Sequence, residues 1–536
     1  MSANSKRQKM SARHCGHDGR LTPLGVFWRN IPRPLRAAAI GLLKGLSRAP
    51  TAKRCMAIVL LCYALLWTIS AEIRNLGVAL PSDMVEAFAL SREWAIGYIK
   101  HPPLINWVTA VWFAIMPIAP WSFHVLAMLN AALALWLVWL AAGHLTDPRR
   151  CIMAVSLLCL TPIFTFHAAN FNHNAISLSL WPLVVLSFLV SIERSQLIWS
   201  ILFGAASGLA ILGKYYAGLI VLACVAAALL HPDRRAYLRS PRPYLAAATC
   251  MIVLAPNLFW LVKNRFISIT YHVVLEQGAG AAAVLLNTLS CAAAYVAYLS
   301  LAFIILYLCL RPWTAVMVRS IVRDWPAKRR IIACFAFVPG VLPILLMPLT
   351  GIAVHSTWIF PAYFFVPLAI VSAPRLPISS RATAVTLGVV VLFSIVVLFT
   401  SPLLMIADFI FAKPDRAAPY IALSRIATDL WHERTGRMLE FVTGTTYRAW
   451  YVTFYSRDHP RYFPNPGSIA TRAEVEKGWN ERGVLAICGS ADTGCDEVFR
   501  RSLPGAERVE ITVPNTFLGL RRVPETYVLY LQSGRA

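Results

Sequence analysis

Charge is scarce in this chain, and negative charge is scarcest. Only 14% of its 536 residues are charged, and 25 Asp and Glu stand against 50 Lys and Arg. A soluble globular domain carries about 25% charged residues, so the composition excludes that class for most of the chain. Hydrophobic residues make up 58%, and uncharged runs such as 331–354 and 383–407 exceed the roughly 20 residues that a helix needs to cross a bilayer. The sequence therefore predicts a polytopic α-helical membrane protein.

The chain also lacks the motifs of several enzyme classes. It has no Walker or Rossmann glycine motif, no HExxH sequence and no zinc-ligand spacing, which argues against nucleotide-binding and zinc-dependent chemistry. We expect no required cofactor, while a divalent metal ion remains possible. The net charge of +25 does not indicate a nucleic-acid partner, because the Lys and Arg residues lie in short loops and near the N-terminus, as the positive-inside rule requires.

Most of the twelve cysteines lie inside apolar segments, where a thiol behaves as a small hydrophobic group. Cys488 and Cys495 differ, because they lie close together in the polar C-terminal region. If that region faces an oxidising compartment, the two can form a local disulfide. Two free thiols are an equal alternative from the sequence.

Eleven apolar segments are candidate spans: 55–73, 122–143, 151–167, 175–191, 197–213, 216–230, 244–262, 284–310, 331–349, 357–372 and 383–404. Basic connections such as Arg149-Arg150 and 231–242 belong on the cytoplasmic side. If the short run Leu104–Ile118 crossed the membrane, these basic connections would lie on the opposite side from the basic N-terminus. They share the cytoplasmic side with the N-terminus only if this run lies along the membrane surface. We therefore predict a juxtamembrane helix there, a cytoplasmic N-terminus and an external C-terminus.

Composition divides the chain into three parts. Residues 1–54 form a basic cytoplasmic tail, residues 55–407 form the transmembrane domain, and residues 408–536 regain charge. In the last part, β-like runs alternate with helical patterns at 471–482 and 496–503, which predicts a small α/β domain outside the membrane. The β-like runs are Met438–Val442, Val484–Cys488, Val509–Val513 and Tyr527–Leu531.

Titratable residues collect in the segment 80–107, which follows the first span: Asp83, Glu86, Arg92, Glu93, Lys100 and His101. Charges are expensive next to a bilayer, so such a cluster between apolar segments indicates a functional site. Under the predicted orientation, this segment faces the same side as 167–174, 214–216, 263–278 and the turn at His355. Polar and aromatic groups thereby converge on one face, as an external active site requires.

Five motifs in order give the chain a family resemblance. Asp83 is followed by Gly97-Tyr98 and His101-Pro102-Pro103-Leu104, at the spacing of a D-E-A-x-Y-W motif and a later G-Y-x-x-H-P-P-L motif. The others are NHNAISLSLW (172–181), GLAILGKYYAG (208–218), PYLAAATCMIVLAPNLFWLVKNRF (243–266) and HSTWIFPAYFFVPL (355–368). Over about residues 55–410, the chain resembles the bacterial protein-mannosyltransferase-like glycosyltransferases of the GT-C superfamily, which include the aminoarabinose transferases acting on lipid A.

The resemblance implies a GT-C fold of about eleven transmembrane helices plus the juxtamembrane helix, followed by the small extracytoplasmic α/β domain. It also implies transfer of a sugar from a polyprenyl-phosphate donor to a lipid or glycan acceptor, such as lipid A or lipopolysaccharide core, at the periplasmic face of the bacterial inner membrane. Two positions depart from the family pattern. Met84 replaces a Glu and Asn174 replaces an Asp, so a metal ion held by paired acids is not expected.

Asp83 is the expected general base, because transfer to a hydroxyl requires a carboxylate to take its proton. The alternative is that Asp83 caps a helix that begins near Met84. We expect cations to hold the donor phosphate, namely Lys100, His101, Lys214, Arg265, His272 and His355. Sugar and acceptor are expected to contact Glu86, Tyr98, Asn170, Asn174 and Tyr215.

Some of these residues have plainer explanations. Lys214 could extend its ammonium to lipid headgroups, and Lys100 could be a solvated loop charge. Tyrosines are also enriched at membrane interfaces without any catalytic role.

Two other functions remain open. A transporter or flippase of lipid-linked sugars would place ionisable residues near the middle of the membrane, whereas the predicted spans are almost free of charge. A noncatalytic relative that binds lipid would explain Met84 and Asn174.

Overall fold

The structure is a computed structural model. It describes residues 32–47, 49–276, 280–351, 356–411, 418–463, 479 and 481–534. His355, the side chain of His272 and most of the predicted helix 471–482 lie outside the described residues.

Helices make up the first three quarters of the described chain. Helices α1 to α9 are Arg33–Ser47, Ala49–Asn75, Ser82–Ser91, Leu104–Ile115, Pro120–Leu145, Pro148–Leu158, His173–Glu193, Leu197–Gly213 and Gly218–Leu230. Helices α10 to α18 are Arg234–Leu238, Arg242–Lys263, Ile267–Glu276, Ala281–Ala297, Ser300–Cys309, Ala315–Arg323, Ala327–Thr350, Val366–Val371 and Ser380–Phe411. Short 3-10 helices lie at Tyr215–Ala217 and Ser356–Tyr363.

Within the described residues, seven helical stretches are long and apolar enough to cross a membrane: Thr51–Asn75, Pro120–Leu145, His173–Glu193, Arg242–Lys263, Ala281–Cys309, Ala327–Thr350 and Ser380–Phe411. The other four predicted spans contain helices that are shorter than a membrane crossing needs. The segment 151–167 is helical only as far as Leu158, before Pro162, and the other three contain helices of at most 17 residues. The number of eleven therefore stays a prediction. The Leu104–Ile118 helix is confirmed as α4, whose 12 residues span only about 18 Å.

Small residues let two central helices approach closely. Gly204 and Gly208 lie one turn apart on α8 and face α11, where added methyl groups would overlap the carbonyl of Ala246 and the side chain of Val253. Such small-xxx-small spacing lets membrane helices gain van der Waals contact where lipid supplies no hydrophobic driving force between them. The contact sets α8, and Lys214 directly after it, against α11.

The C-terminal region contains a five-stranded sheet. Strands β1 to β5 are Phe441–Gly444, Arg461–Tyr462, Gly483–Gly489, Glu507–Phe517 and Leu520–Ser533, and helices α19 to α21 are Tyr420–Thr435, Thr446–Tyr455 and Thr493–Ser502. The order is β2-β1-β3-β5-β4, with β1 parallel to β2 and β3, and β5 antiparallel to β3 and β4. Each predicted β-like run overlaps a strand, and the 496–503 helix overlaps α21, so the small α/β domain is confirmed. The composition change at Asp408 lies within α18.

A disulfide closes the turn after β3. It joins Cys488, near the end of β3, to Cys495 in the first turn of α21. Both cysteines belong to a second small core with Phe499 and Tyr530. The structure thus contains the disulfide, one of the two states that the sequence left open.

The small domain is fastened to the membrane part through α20. The Tyr451 hydroxyl donates to the carbonyl of Leu80 at 2.8 Å, and the Leu80 N–H donates to the Tyr455 hydroxyl at 2.9 Å. Phe454 packs edge-on against Phe88 of α3, with ring centroids 5.2 Å apart. One helix of the domain therefore satisfies both backbone groups of a residue just ahead of α3, and this clamp fixes where α3 begins.

We predict that Gly204→Ala lowers the unfolding temperature of the purified protein, because the added methyl would push α8 away from α11. Gly143→Ala is the matched control, since it also lies in a long apolar helix and nothing lies within 4 Å of its added methyl. Alanine favours a helix over glycine by about 1 kcal/mol, so the control should unfold at the same or a higher temperature. Equal unfolding temperatures for the two variants would contradict the close packing.

Candidate active site

Asp83 lies in the first turn of α3. The helix begins at Ser82, its N-terminal flanking residue is Pro81, and no side chain caps it. The Asp83 carboxylate instead accepts a hydrogen bond from the side-chain amide of Asn172 at 3.1 Å. The alternative that Asp83 caps this helix is therefore wrong, because the carboxylate is directed at a neighbouring segment.

Asn172 connects this carboxylate to the next helix. Its side-chain oxygen caps α7 by accepting from the N–H groups of Asn174 and Ala175. Because the side-chain oxygen of Asn172 is held by these two N–H groups, its side-chain nitrogen is oriented to donate to Asp83. The side-chain oxygen of Asn174 in turn accepts from the ammonium of Lys214. Asp83, Asn172, Asn174 and Lys214 thus form one polar chain, which joins α3, α7 and the turn after α8.

Lys214 is enclosed by aromatic rings. Its ammonium lies 5.4 Å from the ring centroid of Tyr216 and 5.3 Å from that of Trp358. Burial lowers the pKa of Lys214 to about 7, against the opposing effect of the Asp83 charge. The ammonium donates to Asn174 and does not extend to lipid headgroups. Its charge therefore responds to near-neutral pH and to any anion that enters the site.

A half-buried ion pair lies close to Asp83. Glu86, one turn further along α3, is only 6% exposed, and its carboxylate is 2.9 Å from the ammonium of Lys100. Burial raises the pKa of Glu86, and Lys100 opposes that shift. Burial alone would lower the pKa of Lys100, but the carboxylates of Glu86 and Asp83 outweigh it and raise that pKa. Lys100 is consequently a permanent cation within electrostatic reach of Asp83.

Close packing braces the loop that carries Lys100. Gly97 lies flat against Trp260 of α11, where a side-chain methyl would overlap the indole ring. Tyr98 is buried, and its hydroxyl donates to the carbonyl of Leu90 at 3.0 Å. The Gly-Tyr pair of the motif thus shapes the loop that presents Lys100.

Tyr215 also serves as a brace. Its hydroxyl donates at 3.1 Å to Asn257 of α11, whose side-chain amide donates at 2.8 Å to the carbonyl of Ile96. This relay links the turn that carries Lys214 to the loop that carries Lys100. The two cations are therefore positioned by a common set of hydrogen bonds.

The remaining predicted cations are placed differently. The ring of His101 packs against the ring of His173, with centroids 3.9 Å apart and the ring planes tilted by 37°. Arg265 is exposed on the turn after α11, where its backbone is left-handed. The phosphate-binding roles of these residues, and of His272 and His355, stay predictions.

Two cavities meet beside Asp83. The smaller one has a volume of about 250 Å³ and is lined by Asp83, Asn170, Asn172, Asn174 and Trp358, among others. The larger one has a volume of about 550 Å³ and includes Arg74, Asn75, Ser82, Asp408 and Tyr451 in its wall. His167 and Asn170 line both. The side-chain oxygen of Asn170 is buried with no hydrogen-bond partner among the described residues, as expected of a group that awaits a ligand.

Comparison with solved structures identifies the fold. ArnT from Cupriavidus metallidurans, in its apo state and bound to undecaprenyl phosphate, matches with TM-scores of 0.55 and 0.54 at 12% and 13% identity. Each match covers 88% of this chain and 97% of ArnT. The chain therefore has the fold of ArnT. The GT-C fold predicted from the sequence is thereby confirmed.

Sequence comparisons match parts of the chain to glycosyltransferases. Residues 100–260 match the family model described as dolichyl-phosphate-mannose-protein mannosyltransferase. The lipopolysaccharide core galacturonosyltransferase RgtB of Rhizobium johnstonii is 23% identical over 308 residues, which are 54% of this chain and 59% of RgtB. The match thus spans a little over half of the length of that relative.

The structure adds site residues that the sequence did not single out. Arg74 at the end of α2 forms two contacts with Asp408 near the end of α18, at 2.5 and 3.2 Å, in the wall of the larger cavity. Under the predicted orientation Arg74 lies on the external side, where the positive-inside rule disfavours a basic residue, so that rule could have marked it as unusual. His167 lies in the polar segment 167–174 and Trp358 lies in the motif at 355–368, so both were within recognised segments without being singled out.

Among the described residues, no group of three or more His, Cys, Asp and Glu side chains is arranged to hold a metal ion. The expectation that no metal is required stays a prediction.

We predict that Tyr455→Phe speeds amide hydrogen exchange at Leu80 and through α3, because it removes the acceptor for the Leu80 N–H. A hydrogen bond contributes about 1 kcal/mol net, which corresponds to an increase of about fivefold. Tyr447→Phe is the matched control, since Tyr447 lies on the same helix with an exposed ring. Exchange measured by mass spectrometry that rises equally in both variants would contradict the clamp.

Proposed function

We propose that this protein transfers a sugar from a polyprenyl-phosphate donor to an envelope acceptor, with Asp83 as the general base. One observation carries the proposal: Asp83 borders a cavity and lies within electrostatic reach of Lys100 and Lys214. Glycosyl transfer to a hydroxyl needs a carboxylate for the acceptor proton and cations for the leaving phosphate. Both groups are present together.

The relatives support the choice of substrates. An ArnT structure contains undecaprenyl phosphate, and RgtB is a lipopolysaccharide core galacturonosyltransferase. By analogy, the donor here is a sugar on a polyprenyl phosphate, and the acceptor is lipid A, lipopolysaccharide core or a related glycan. The basic N-terminus would lie in the cytoplasm and the sheet domain in the periplasm, as the basic loops favour, in a multi-pass protein of the bacterial inner membrane.

The reaction would be a single inverting displacement. The acceptor hydroxyl attacks the anomeric carbon while Asp83 takes the hydroxyl proton. The bond between the anomeric carbon and the phosphate oxygen breaks, and the carrier phosphate leaves with one more negative charge. Lys100, together with Lys214 in its protonated state, would stabilise that charge.

The two cavities suggest one place for each substrate. The smaller cavity lies along the chain from Asp83 to Asn174, next to Lys214, and we assign the donor phosphate and sugar to it. The larger cavity adjoins it at Asn170 and reaches α2 and α18 through Trp67 and Leu404. We assign the acceptor to the larger cavity, because a lipid-linked acceptor could place its head group there while its chains stay in the bilayer.

The alternative function is transport of lipid-linked sugars, which would need ionisable residues inside the membrane part. One buried cation could be such a residue. Arg329 at the start of α16 is only 2% exposed. Its guanidinium, however, donates to the backbone carbonyls of Ser320, Ile321 and Ala369. Arg329 is thus a structural brace between α15, α16 and α17, and it gives no support to a transport path.

We predict that Asp83→Asn removes a glycan mass shift that the wild-type protein produces on lipid A or core oligosaccharide in membranes. A general base contributes about 10²- to 10⁴-fold in rate, so the product should fall by at least about 100-fold. Asp233→Asn, at an exposed aspartate in the loop after α9, should retain the activity.

Mass spectrometry of the extracted glycolipids, at matched protein levels, measures this effect. A shift that persists undiminished in Asp83→Asn would remove Asp83 from the chemistry. A wild-type protein that produces no shift would favour the transporter.

We predict that kcat/KM falls as the pH rises through about 7, because Lys214, whose pKa is lowered to about 7, loses its charge above that pH. An uncharged amine cannot stabilise the donor phosphate. Lys214→Arg keeps its charge at every accessible pH, so this decline should vanish in that variant even if its rate is lower. The same decline in Lys214→Arg would assign the titration to another group.

A further inference from the structure

The hairpin between β4 and β5 ends in an unusual turn. Leu518 and Gly519 form its two-residue loop, with φ of 48° and 80°. Turns with two positive φ angles favour Asn-Gly or Asp-Gly, because the Cβ of a bulky residue crowds its own backbone in this region. A leucine here is locally unfavourable, and the protein does not bury it, since Leu518 is 71% exposed.

Leu518 belongs to an exposed apolar group at the hairpin end. We call this group the tip patch; it consists of Leu518, Leu520, Val523 and, at the end of α18, Phe411. Val523 is 83% exposed and Phe411 is 82% exposed. Arg521 lies between these residues in sequence and is also exposed. The hairpin end thus combines large apolar side chains with a cation.

The hairpin end contacts two long apolar helices where they stop. The guanidinium of Arg522 donates to the carbonyl of Phe409 at 2.8 Å, and the ring of Phe517 lies 5.6 Å from that of Phe409 near the end of α18. Gly77, just after α2, packs directly against the Phe517 ring. The tip patch is therefore fixed beside the ends of α2 and α18.

The exposed apolar surface of α18 indicates how far the tip patch lies from the hydrocarbon core of the bilayer. Its exposed apolar side chains begin at Val391 and continue to Phe411. The predicted span 383–404 ends seven residues before Phe411, which is about 10 Å of helix. Phe411 therefore lies close to the headgroup region, and the rest of the tip patch extends the same apolar surface.

We propose that the tip patch inserts into the lipid leaflet on the side of the sheet domain. Leu518, Leu520 and Val523 would lie at the boundary between acyl chains and headgroups, with Arg521 against the phosphates. Anionic lipids strengthen such contacts. The insertion fastens the hairpin end of the domain to the bilayer, gives the exposed leucine of the strained turn an apolar contact, and does not depend on the proposed enzymatic function.

A fluorescent amino acid at position 518 tests the insertion. The full-length protein is placed in vesicles of phosphatidylethanolamine and phosphatidylglycerol whose acyl chains carry bromine, a contact quencher. The matched control carries the same probe at Thr512, an exposed position on β4 about 20 Å from the turn. We expect the probe at 518 to lose about half of its fluorescence, as for a side chain in the headgroup and acyl boundary, and the probe at 512 to lose little.

Absence of quenching at 518, or equal quenching at both positions, would overturn the proposal. Protection at 518 that depends on protein concentration and persists in detergent would assign the tip patch to a second copy and would also overturn it. Leu518→Asn provides a second test, because asparagine suits the turn but removes the apolar contact. In vesicles, amide exchange around 517–523 should rise severalfold in this variant, and unchanged exchange would contradict the insertion.

Discussion

Charged side chains at the edge of an apolar helix bundle need polar partners inside the protein. The arrangement of the site in this structure depends on those pairings. Leaving one charge buried and unpaired is strongly destabilising. Here the Asp83 carboxylate is satisfied by Asn172, and the ammonium of Lys214 by Asn174. The partners come from separate helices, so the contacts that make the charges tolerable also bring the proposed reacting groups together.

Two parts of the protein hold Asp83 and Lys214 in place, namely the helices of the membrane part and the sheet domain. Within the membrane part, Gly204 and Gly208 set α8 against α11, which places Lys214 near the loop braced by Trp260. From outside the membrane part, α20 holds the backbone of Leu80 ahead of α3. The sheet domain is consequently part of the site even though its strands carry none of the proposed reacting groups. The position of Asp83 depends on the domain and the helices together.

The sequence predicts those features that are local or that carry a large free-energy cost. Strands β3 to β5 follow from short β-like runs, and Asp83 and Lys100 follow from charge beside a bilayer and from motif spacing. Span lengths are less predictable, because hydropathy reports composition and does not report where Pro162 ends a helix. The pairing of Arg74 with Asp408, 334 positions apart, and the contact between the rings of His101 and His173 depend on packing that the sequence alone does not reveal.

The central claim is that the protein breaks the bond between a sugar and its carrier phosphate. The most direct measurement uses the purified protein in vesicles with a polyprenyl-phosphate sugar and a lipid A or core acceptor. If the claim is right, free polyprenyl phosphate and glycosylated acceptor accumulate in equal amounts. If the sugar remains bonded to its carrier while the intact lipid crosses the bilayer, the protein is a transporter and the claim is wrong.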